Sequence, residues 1–239
     1  METRKIHEER GVLLLGVGGL GCAAALLLVA AGVRRLGLVD DDRVSLSNLH
    51  RQILFRMTDI GMDKVTQAGQ RLREQQPDCQ VEQIPRRLTE RDAIGEVAAE
   101  YAVVIDGSDN FTTRFAANDA AVAYRFPLVH GAATGGRGQL CSIAAGGQPC
   151  LRCLFGGPPT QNTATCRSEG VFGPLVGEVG GLMALEAIKW LHGSGQPLLG
   201  RLLTIDVTTA KRRIVPLRSH PQCPVCAPHH ANIPDRAAS

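Results

Sequence analysis

Aromatic residues are scarce in this chain of 239 residues, which has one tryptophan, two tyrosines and six phenylalanines, or 4%. A protein that holds its ligand between stacked aromatic rings needs more of them, so an aromatic-lined binder is disfavoured. The 27 glycines instead favour a tightly turned α/β protein in which backbone segments approach closely. The length is enough to bury a sizeable core in one large domain or two small ones.

A strong excess of charge is also lacking, because 26 basic residues face 23 acidic ones and the net charge is +3. No block of lysines and arginines stands out, so the sequence does not predict a nucleic-acid partner. Residues 11–33 contain no charged residue and match a membrane span in length, but six glycines interrupt them. We therefore expect a cytoplasmic protein without a membrane span.

The charge-free run divides into a strand at residues 12–16, a turn, and an alanine- and leucine-rich helix at 22–31. A buried strand at 36–39 follows, and together they predict a β-α-β unit. Residues 41–63 form a long connection without regular periodicity, which in a compact domain is usually functional. Further helices are predicted at 64–76, 91–100, about 110–124 and 179–192, and strands at 80–84, 101–106, 128–131, 202–206 and 212–216, with short antiparallel strands within 136–150.

Four glycines lie between the first strand and the first helix, in the segment Gly16-Val17-Gly18-Gly19-Leu20-Gly21. The spacing of Gly16, Gly18 and Gly21 fits G-x-G-x-x-G in the context that makes it informative. A helix N-terminus offers unpaired N–H groups to phosphates. Asp40, nineteen residues after Gly21, is placed to accept hydrogen bonds from ribose hydroxyls. A ribonucleotide site follows, with NAD and ATP both open; a purely structural turn is the alternative.

The connection after Asp40 carries a set of polar and cationic side chains, namely Asn48, Arg51, Gln52 and Lys64. A triphosphate attacked at its α-phosphorus needs fixed positive charge and a metal ion, whereas a dinucleotide pyrophosphate needs little beyond the glycine turn. Arg51 can bind two phosphate oxygens and Lys64 another. These residues favour an ATP-dependent enzyme over an NAD-dependent oxidoreductase. Each of them alone can be a solvated surface residue.

Asp109 follows the predicted strand at residues 101–106, at the edge where an open α/β sheet places ligand-binding groups. A carboxylate oxygen there is a suitable ligand for Mg²⁺. We therefore predict that Asp109 binds the magnesium ion that accompanies ATP.

Eight cysteines include two Cys-x-x-Cys pairs, Cys150 with Cys153 and Cys223 with Cys226. Each pair has the spacing of half a tetrahedral four-cysteine zinc site, although seventy residues separate Cys153 from Cys223. Zinc is favoured over redox-active or unpaired thiols. Three more cysteines are predicted to be packing residues: Cys22, Cys79 and Cys141.

Cys166 lies in a polar stretch at residues 158–167 that we predict to be a mobile loop. The neighbouring Arg167 favours the thiolate form. A reactive thiol and an idle exposed cysteine both remain open.

Six segments occur in order over residues 11–227: GVGGLG, LVDDDRVSLSNLHRQILF, DGSDN, CLRC, TCRSEGVFGPLVGEVGGLMALEAIK and CPVC. The chain thereby closely resembles the ThiF/MoeB/HesA group of adenylyltransferases, bacterial relatives of ubiquitin-activating enzymes. The segments SNLHRQILF, RRLT at residues 86–89 and CRSEGVFGP make ThiF marginally more similar than MoeB.

The resemblance implies that the chain uses ATP and Mg²⁺ to adenylate the C-terminal glycine of a small ubiquitin-like sulfur carrier ending in Gly-Gly, with release of pyrophosphate. The acyl-adenylate would then accept sulfur for thiamin or molybdopterin assembly, with a sulfurtransferase or a cysteine desulfurase as a further partner. A MoeB-like enzyme of molybdopterin assembly and a degenerate member that binds the carrier without turnover are the alternatives.

The resemblance also implies residue roles: Asp40 would bind the ribose, Asn48, Arg51 and Lys64 the phosphates, and Asp109 the magnesium. The four paired cysteines would hold a structural zinc, and Cys166 would capture the carrier, a role that MoeB-like proteins dispense with. Related proteins are homodimers in which an N-terminal arm reaches the partner's ATP. This chain has ten residues before Gly11 and no matching segment, so we expect that the start is truncated, that another cation substitutes or that adenylation is impaired, and the homodimer is in doubt for the same reason.

From these observations we predict one domain over residues 1–239, an α/β Rossmann-like mixed sheet with a parallel N-terminal half, antiparallel C-terminal strands and a four-cysteine zinc clip. The nucleotide-binding half would span about residues 11–132 and the carrier-binding and zinc half about 133–227. The tail at 228–239 is expected to be disordered.

Overall fold

The computed structural model describes residues 9–158 and 170–227. Its first unit is the predicted β-α-β unit: strand β1 (Val12–Leu15), helix α1 (Gly19–Ala30) and strand β2 (Arg35–Val39). The two strands pair in parallel, with Val12 opposite Leu36. All four residues of β1 are buried because helices cover both faces of the sheet, which explains its uninterrupted apolar run.

Eight strands form one sheet in the part of the chain that the structure describes, in the order β3-β2-β1-β4-β5-β6-β7-β8. Strands β1 to β5 run parallel, and β5 to β8 pair antiparallel. The predicted Rossmann-like mixed sheet is therefore confirmed. The remaining strands are β3 (Gln80–Ile84), β4 (Val103–Asp106), β5 (Leu128–Thr134), β6 (Arg137–Ile143), β7 (Arg201–Asp206) and β8 (Lys211–Pro216).

Five further α-helices are α2 (Lys64–Gln75), α3 (Arg91–Ala98), α4 (Phe111–Ala123), α5 (Leu151–Phe155) and α6 (Gly173–His192), and the connection after β2 contains two short 3-10 helices, Leu46–Asn48 and Met57–Asp59. Helices α1, α2 and α6 pack on one face of the sheet, and α3, α4 and α5 pack on the other. Alternate residues of β1 point into the two layers, with Leu14 in the first and Leu13 in the second.

Helices α1 and α6 approach closely because small residues face each other. A Cβ atom added to Gly180 would lie 2.6 Å from the Leu20 carbonyl oxygen and 2.8 Å from the Ala23 Cβ atom. A Cβ atom on Gly19 would lie 2.5 Å from Val176. The start of α6 is thus held against the glycine turn.

Some predicted boundaries were wrong. Helix α6 begins at Gly173 instead of residue 179, because Pro174 in its first turn favours helix initiation despite several glycines of low helix propensity. Helix α1 begins at Gly19 instead of residue 22, and α5 was not predicted.

Within the described ranges, no helix is both long and apolar enough to span a membrane.

Candidate nucleotide-binding cleft and cysteine cluster

A cleft of about 580 Å³ opens at the carboxyl ends of β1, β2 and β4. The strand order reverses between β1 and β4, and ligands bind at such a switch point in open α/β sheets. Its walls come from the glycine turn, residues 40–42, residues 47–52 and residues 107–111. Segments that are distant in sequence therefore meet at one concave surface.

Two positions in the glycine turn require glycine. Gly16 has a φ of +93°, in the left-handed region. A Cβ atom on Gly21 would lie 2.0 Å from the Gly16 carbonyl oxygen, so the helix start packs directly on the strand end. Gly18, the N-cap of α1, receives no side-chain cap from the described residues, and the nearest of their atoms to a Cβ atom placed there would be Gln52 Nε2 at 3.9 Å. The N-terminus of α1 consequently faces open space in the cleft.

Asp40 holds the glycine turn from the end of β2. Its Oδ2 atom accepts a hydrogen bond from the Val17 N–H at 2.7 Å, and Oδ1 accepts one from the Asp42 N–H at 2.9 Å. Burial raises the pKa of Asp40 above its usual value, and the charge of Lys64 and the two N–H donors act against that rise. Each carboxylate oxygen keeps a second lone pair for a ligand hydroxyl on the cleft side.

Lys64 begins α2 and is buried. Its Nζ atom lies 2.9 Å from Asp42 Oδ2 and 3.8 Å from Asp40 Oδ1. Arg87 contacts the same acidic segment from the loop after β3, with Nε 3.0 Å from Asp41 Oδ1 and Nη2 3.5 Å from Asp42 Oδ1. Two cations thus offset three carboxylates on this wall of the cleft.

Asn48, Arg51 and Gln52 belong to the connection after β2, which lies beside the glycine turn at Gly18 and Gly19. Arg51 Nη2 donates a hydrogen bond of 2.5 Å to Asn48 Oδ1, and Nη1 donates one of 3.2 Å to the Ser47 carbonyl oxygen. Gln52 is buried, and its Oε1 atom has no hydrogen-bond partner among the described residues. All three line the cleft, so the irregular connection after β2 folds back onto the turn.

Asp109 lies exposed in the loop between β4 and α4 and lines the cleft. The loop is anchored on Asp106, whose Oδ1 accepts hydrogen bonds from the Ser108 N–H at 3.1 Å and the Ser108 hydroxyl at 2.5 Å. Asn110 caps α4 by accepting the Thr113 N–H at 2.9 Å. These contacts fix both sides of the residue that sequence reasoning assigned to magnesium.

Beneath that loop, Asp106 and His130 form a fully buried pair, with His130 Nδ1 2.8 Å from Asp106 Oδ2. Burial acts to raise the pKa of Asp106, but His130, Arg114 and Ser108 outweigh it, and the pKa lies below its usual value. Burial lowers the pKa of His130. At neutral pH both shifts favour an ionised carboxylate beside a neutral imidazole.

The four paired cysteines come together in the second layer. Cys150 Sγ lies 4.0 Å from Cys153 Sγ and 3.7 Å from Cys223 Sγ, and Cys153 Sγ lies 3.4 Å from Cys226 Sγ. A disulfide needs about 2 Å. Sulfurs bound to one Zn²⁺ at about 2.3 Å in a tetrahedron lie about 3.8 Å apart, so these four fit such an ion.

The first cysteine pair is supported by α4. The Asn118 side-chain oxygen accepts the Leu151 N–H at 2.7 Å, and Arg152 forms two hydrogen bonds with Asp119 at 2.8 Å and 2.6 Å. Helix α5, which sequence reasoning missed, begins directly after its N-cap Cys150 and contains Cys153. The cluster thus joins the segment after β8 to the body of the domain.

The sequence model of the ThiF family matches residues 2–225 of the chain. The chain belongs to the ThiF family. It is 45% identical over 231 residues to a sulfur carrier protein adenylyltransferase of Thermus thermophilus, covering 94% of this chain and 85% of that protein. It is 42% identical over 228 residues to the adenylyltransferase and sulfurtransferase MOCS3-1 of Zea mays, covering 95% of this chain and 48% of that protein. The chain thus spans about half of the longer plant relative.

Among solved structures, the fold is similar to Escherichia coli MccB with MccA-N7isoASN, with a TM-score of 0.82 and 21% identity. That match covers 94% of this chain and 69% of MccB. A structure of MccB with ATP gives a TM-score of 0.82 at 20% identity, covering 94% and 69% of the two chains. At these identities, the similarity supports only the fold of this ThiF-family chain.

In this ThiF-family chain, the predicted nucleotide residues lie around one cleft: Gly16, Gly18, Gly19, Asp40, Asn48, Arg51, Gln52, Lys64 and Asp109. Gly21 does not line the cleft but packs on Gly16. Cys166 lies outside the described residues, as does the tail at 228–239. Cys22, Cys79 and Cys141 are buried, as expected of packing residues.

Sequence reasoning missed Asp42, Arg87 and Arg114 as cleft residues. The run of three aspartates after β2 and the RRLT segment were visible signals for the first two. Arg114 gave no signal, since a single arginine in an amphipathic helix is usually solvated.

Proposed function

We propose that this chain uses ATP to adenylate the C-terminal carboxylate of a ubiquitin-like sulfur carrier ending in Gly-Gly, with release of pyrophosphate. The observation that carries the proposal is that the glycine turn, Asp40, two cations and Asp109 line a single cleft. Relatives at 45% and 42% identity bear the names sulfur carrier protein adenylyltransferase and adenylyltransferase and sulfurtransferase. Family membership and cleft chemistry support the same reaction.

In this proposal the nucleotide lies across the glycine turn. Asp40 accepts hydrogen bonds from the ribose hydroxyls through the lone pairs that its two backbone donors leave free. The N-terminus of α1 faces the phosphates, and Gly18 leaves room for their close approach. The Nε2 atom of the buried Gln52 lies nearest to Gly18 and can donate to a phosphate oxygen there, while Oε1, which has no partner within the described region, can accept from a donor group of the ligand.

Arg51 and Lys64 supply the positive charge that a triphosphate under attack requires. Both line the cleft, Arg51 held by Asn48 and Lys64 held by Asp42, so both are oriented before the nucleotide enters. Fixed cations of this kind stabilise charge that develops on the leaving pyrophosphate. Arg51 suits two phosphate oxygens, and Lys64 acts as a point charge.

Asp109 is the proposed ligand for Mg²⁺, because it is an exposed carboxylate on the cleft wall in a loop fixed by Asp106 and Asn110. Carboxylate oxygens are ligands that Mg²⁺ prefers, usually beside substrate phosphates. The ion supplies charge neutralisation of the triphosphate when bound.

The reaction needs no proton transfer from the protein. A carboxylate oxygen of the carrier attacks the α-phosphorus, a new oxygen–phosphorus bond forms, and the bond from the α-phosphorus to the bridging oxygen of pyrophosphate breaks. Orientation and electrostatic stabilisation are therefore what the chain must contribute.

The proposed function includes a structural metal, a covalent step and further partners. The four clustered cysteines fit a structural Zn²⁺ that fastens the segment after β8, and Cys166 captures the carrier after adenylation. A homodimer, a sulfurtransferase or cysteine desulfurase as sulfur source, and a role in thiamin or molybdopterin assembly complete it. Cys166→Ala should leave adenylation intact and abolish a reducible conjugate with the carrier; a conjugate that persists would exclude this thiol.

The decisive experiment is ATP–pyrophosphate exchange with purified Gly-Gly carriers from the same organism. Exchange should require a carrier and be lost in Asp109→Ala, while the control Asp92→Ala, exposed on α3 and away from the cleft, should retain it. Exchange that survives Asp109→Ala would overturn the magnesium assignment. No exchange with any carrier, together with tight NADH binding, would favour an oxidoreductase, and carrier binding without exchange would indicate a non-catalytic member.

A further inference from the structure

A second cavity of about 360 Å³ adjoins the nucleotide cleft, between α4, α5 and the hairpin of β5 and β6. Three phenylalanines line it, Phe111, Phe115 and Phe155, in a chain that has six. The two cavities share Phe111, Arg114 and residues 132–134. They therefore meet along one boundary.

Arg114 lies on that boundary. Among the described arginines and lysines, it alone lines both cavities, because Arg51, Lys64, Arg86 and Arg87 line the first and Arg137 lines the second. Its side chain is 12% exposed. A guanidinium group is thus held mostly out of water where the two spaces join.

The surroundings of Arg114 orient it without using all its donors. Nη2 donates to the Ser108 carbonyl oxygen at 3.2 Å, and the guanidinium carbon lies 5.1 Å from the centre of the Phe111 ring. Nε lies 4.0 Å from Asp106 Oδ2 and makes no hydrogen bond within the described part of the chain. A guanidinium has five N–H donors, so hydrogen-bonding capacity remains.

The proposed reaction brings a carboxylate against a triphosphate, and these two anions repel each other. A fixed cation between them lowers that repulsion and can orient the attacking oxygen. Arg51 and Lys64 are held on the walls of the nucleotide cleft by Asn48 and Asp42, away from the second cavity. Arg114 is the cation placed between the two spaces.

We propose that Arg114 is a catalytic residue that binds the attacking carboxylate, which enters through the second cavity as the end of an extended peptide. The inference rests on the proposed adenylation. Arg114 donates hydrogen bonds to the carboxylate and keeps its proton, while the oxygen–phosphorus bond forms and pyrophosphate leaves with the electron pair of the broken bond. The Asp106 carboxylate, whose Oδ2 atom lies 4.0 Å from Nε, balances the guanidinium charge.

A purely structural role makes a different prediction. If Arg114 only supported residues 107–110 through the Ser108 carbonyl, its loss would displace Asp109 and weaken binding of ATP with Mg²⁺. If Arg114 binds the carboxylate, its loss leaves the affinity for ATP unchanged and lowers the affinity for the carrier. The two roles differ in which ligand is affected.

The test compares two forms of a sulfur carrier that supports exchange with the wild-type chain, one with its C-terminal carboxylate and one with a carboxamide. Binding is measured in the presence of Mg²⁺ and α,β-methylene ATP, which prevents turnover. The proteins are wild type, Arg114→Gln, Arg114→Lys and the control Arg91→Gln, which removes an exposed arginine on α3.

Wild type and Arg91→Gln should bind the carboxylate form roughly 10- to 100-fold more tightly than the carboxamide, as expected for a charge-assisted hydrogen bond. Arg114→Gln should bind both forms equally within about twofold while its affinity for the ATP analogue stays within about threefold of wild type. Arg114→Lys, which keeps the charge, should retain part of the preference and serves if Arg114→Gln does not fold.

The inference is overturned if Arg114→Gln keeps the wild-type preference for the carboxylate, or if it loses ATP affinity as much as carrier affinity. Should Arg114→Gln not fold, a full wild-type preference or none at all in Arg114→Lys overturns it instead. If no carrier supports exchange with the wild-type chain, the proposed function fails first, and the inference falls with it.

Discussion

Lys64 is joined to Asp42 twice: its backbone N–H donates to the Asp42 carbonyl oxygen at 3.1 Å, and its Nζ donates to Asp42 Oδ2 at 2.9 Å. The start of α2 is therefore fastened to the segment after β2 by main chain and side chain together. Because Arg87 contacts the other carboxylate oxygen of Asp42, the position of the Lys64 ammonium depends on a three-residue network.

Lys64→Met is expected to lower ATP affinity at least tenfold and to destabilise the fold by roughly 1–3 kcal/mol, because the carboxylates of Asp40 and Asp42 lose their buried counter-ion. Equilibrium dialysis with ATP and chemical denaturation measure the two effects. Lys211→Met, on the exposed strand β8, should change stability by less than about 0.5 kcal/mol. Wild-type ATP affinity in Lys64→Met would reduce Lys64 to a structural counter-ion.

Gly18→Ala and Gly21→Ala should separate nucleotide binding from folding. At Gly21 the new methyl group would lie 2.0 Å from the Gly16 carbonyl oxygen, so we expect a loss of about 1–3 kcal/mol in unfolding free energy. At Gly18 the methyl group has room, so stability should fall by less than about 1 kcal/mol while ATP binding weakens. Thermal unfolding and dialysis distinguish them, and equal losses of stability would contradict the packing described.

The cysteine cluster predicts one zinc ion per chain. Cys223→Ser should abolish the stoichiometric zinc, measured with a colorimetric chelator after denaturation, and destabilise the fold by about 3 kcal/mol, since loss of a structural metal is among the largest single-site effects. Cys79→Ser, a buried cysteine outside the cluster, should retain the metal. Full zinc content in Cys223→Ser would refute a four-cysteine site.

His130 should make stability depend on pH. Burial lowers its folded pKa below the ordinary value of 6.5, so below that pH the unfolded chain binds a proton that the folded chain does not. The contribution of His130 to the free energy of unfolding should be fully present above pH 6.5 and should decline as the pH falls towards the folded pKa. His130→Asn should flatten this decline in urea unfolding between pH 5 and 8. An unchanged slope in His130→Asn would show that another group titrates.

The parts of the fold that sequence predicted best depend on short-range patterns. The charge-free run specified β1, α1 and the turn between them, because a buried parallel strand and its following helix each have a recognisable apolar pattern. Asp40 and the cysteine pairs were found by fixed spacing. The start of α6 was missed because helix propensity is low at Gly173 and Gly177, and packing against α1 overrides that preference.

The cleft residues that sequence could not provide depend on tertiary contacts. Arg87 is 45 residues beyond Asp42, and only the pairing of β2 with β3 brings them together. Arg114 acquires its place from the contact of α4 with the loop of Ser108 and from the cavity beside β5. Neither a hydrophobic period nor a residue spacing in the sequence indicates that these residues are close in space.

Asp40 has consequences for how variants of this chain should be interpreted. Its two oxygens already accept the N–H groups of Val17 and Asp42, so the carboxylate organises the turn before any nucleotide arrives. The turn therefore loses its conformational entropy during folding. Nucleotide binding does not have to bear the free-energy cost of ordering the turn again. An Asp40 variant with weak activity would confound a lost ribose contact with a loosened turn, which makes Gly18 the cleaner position for measuring nucleotide recognition.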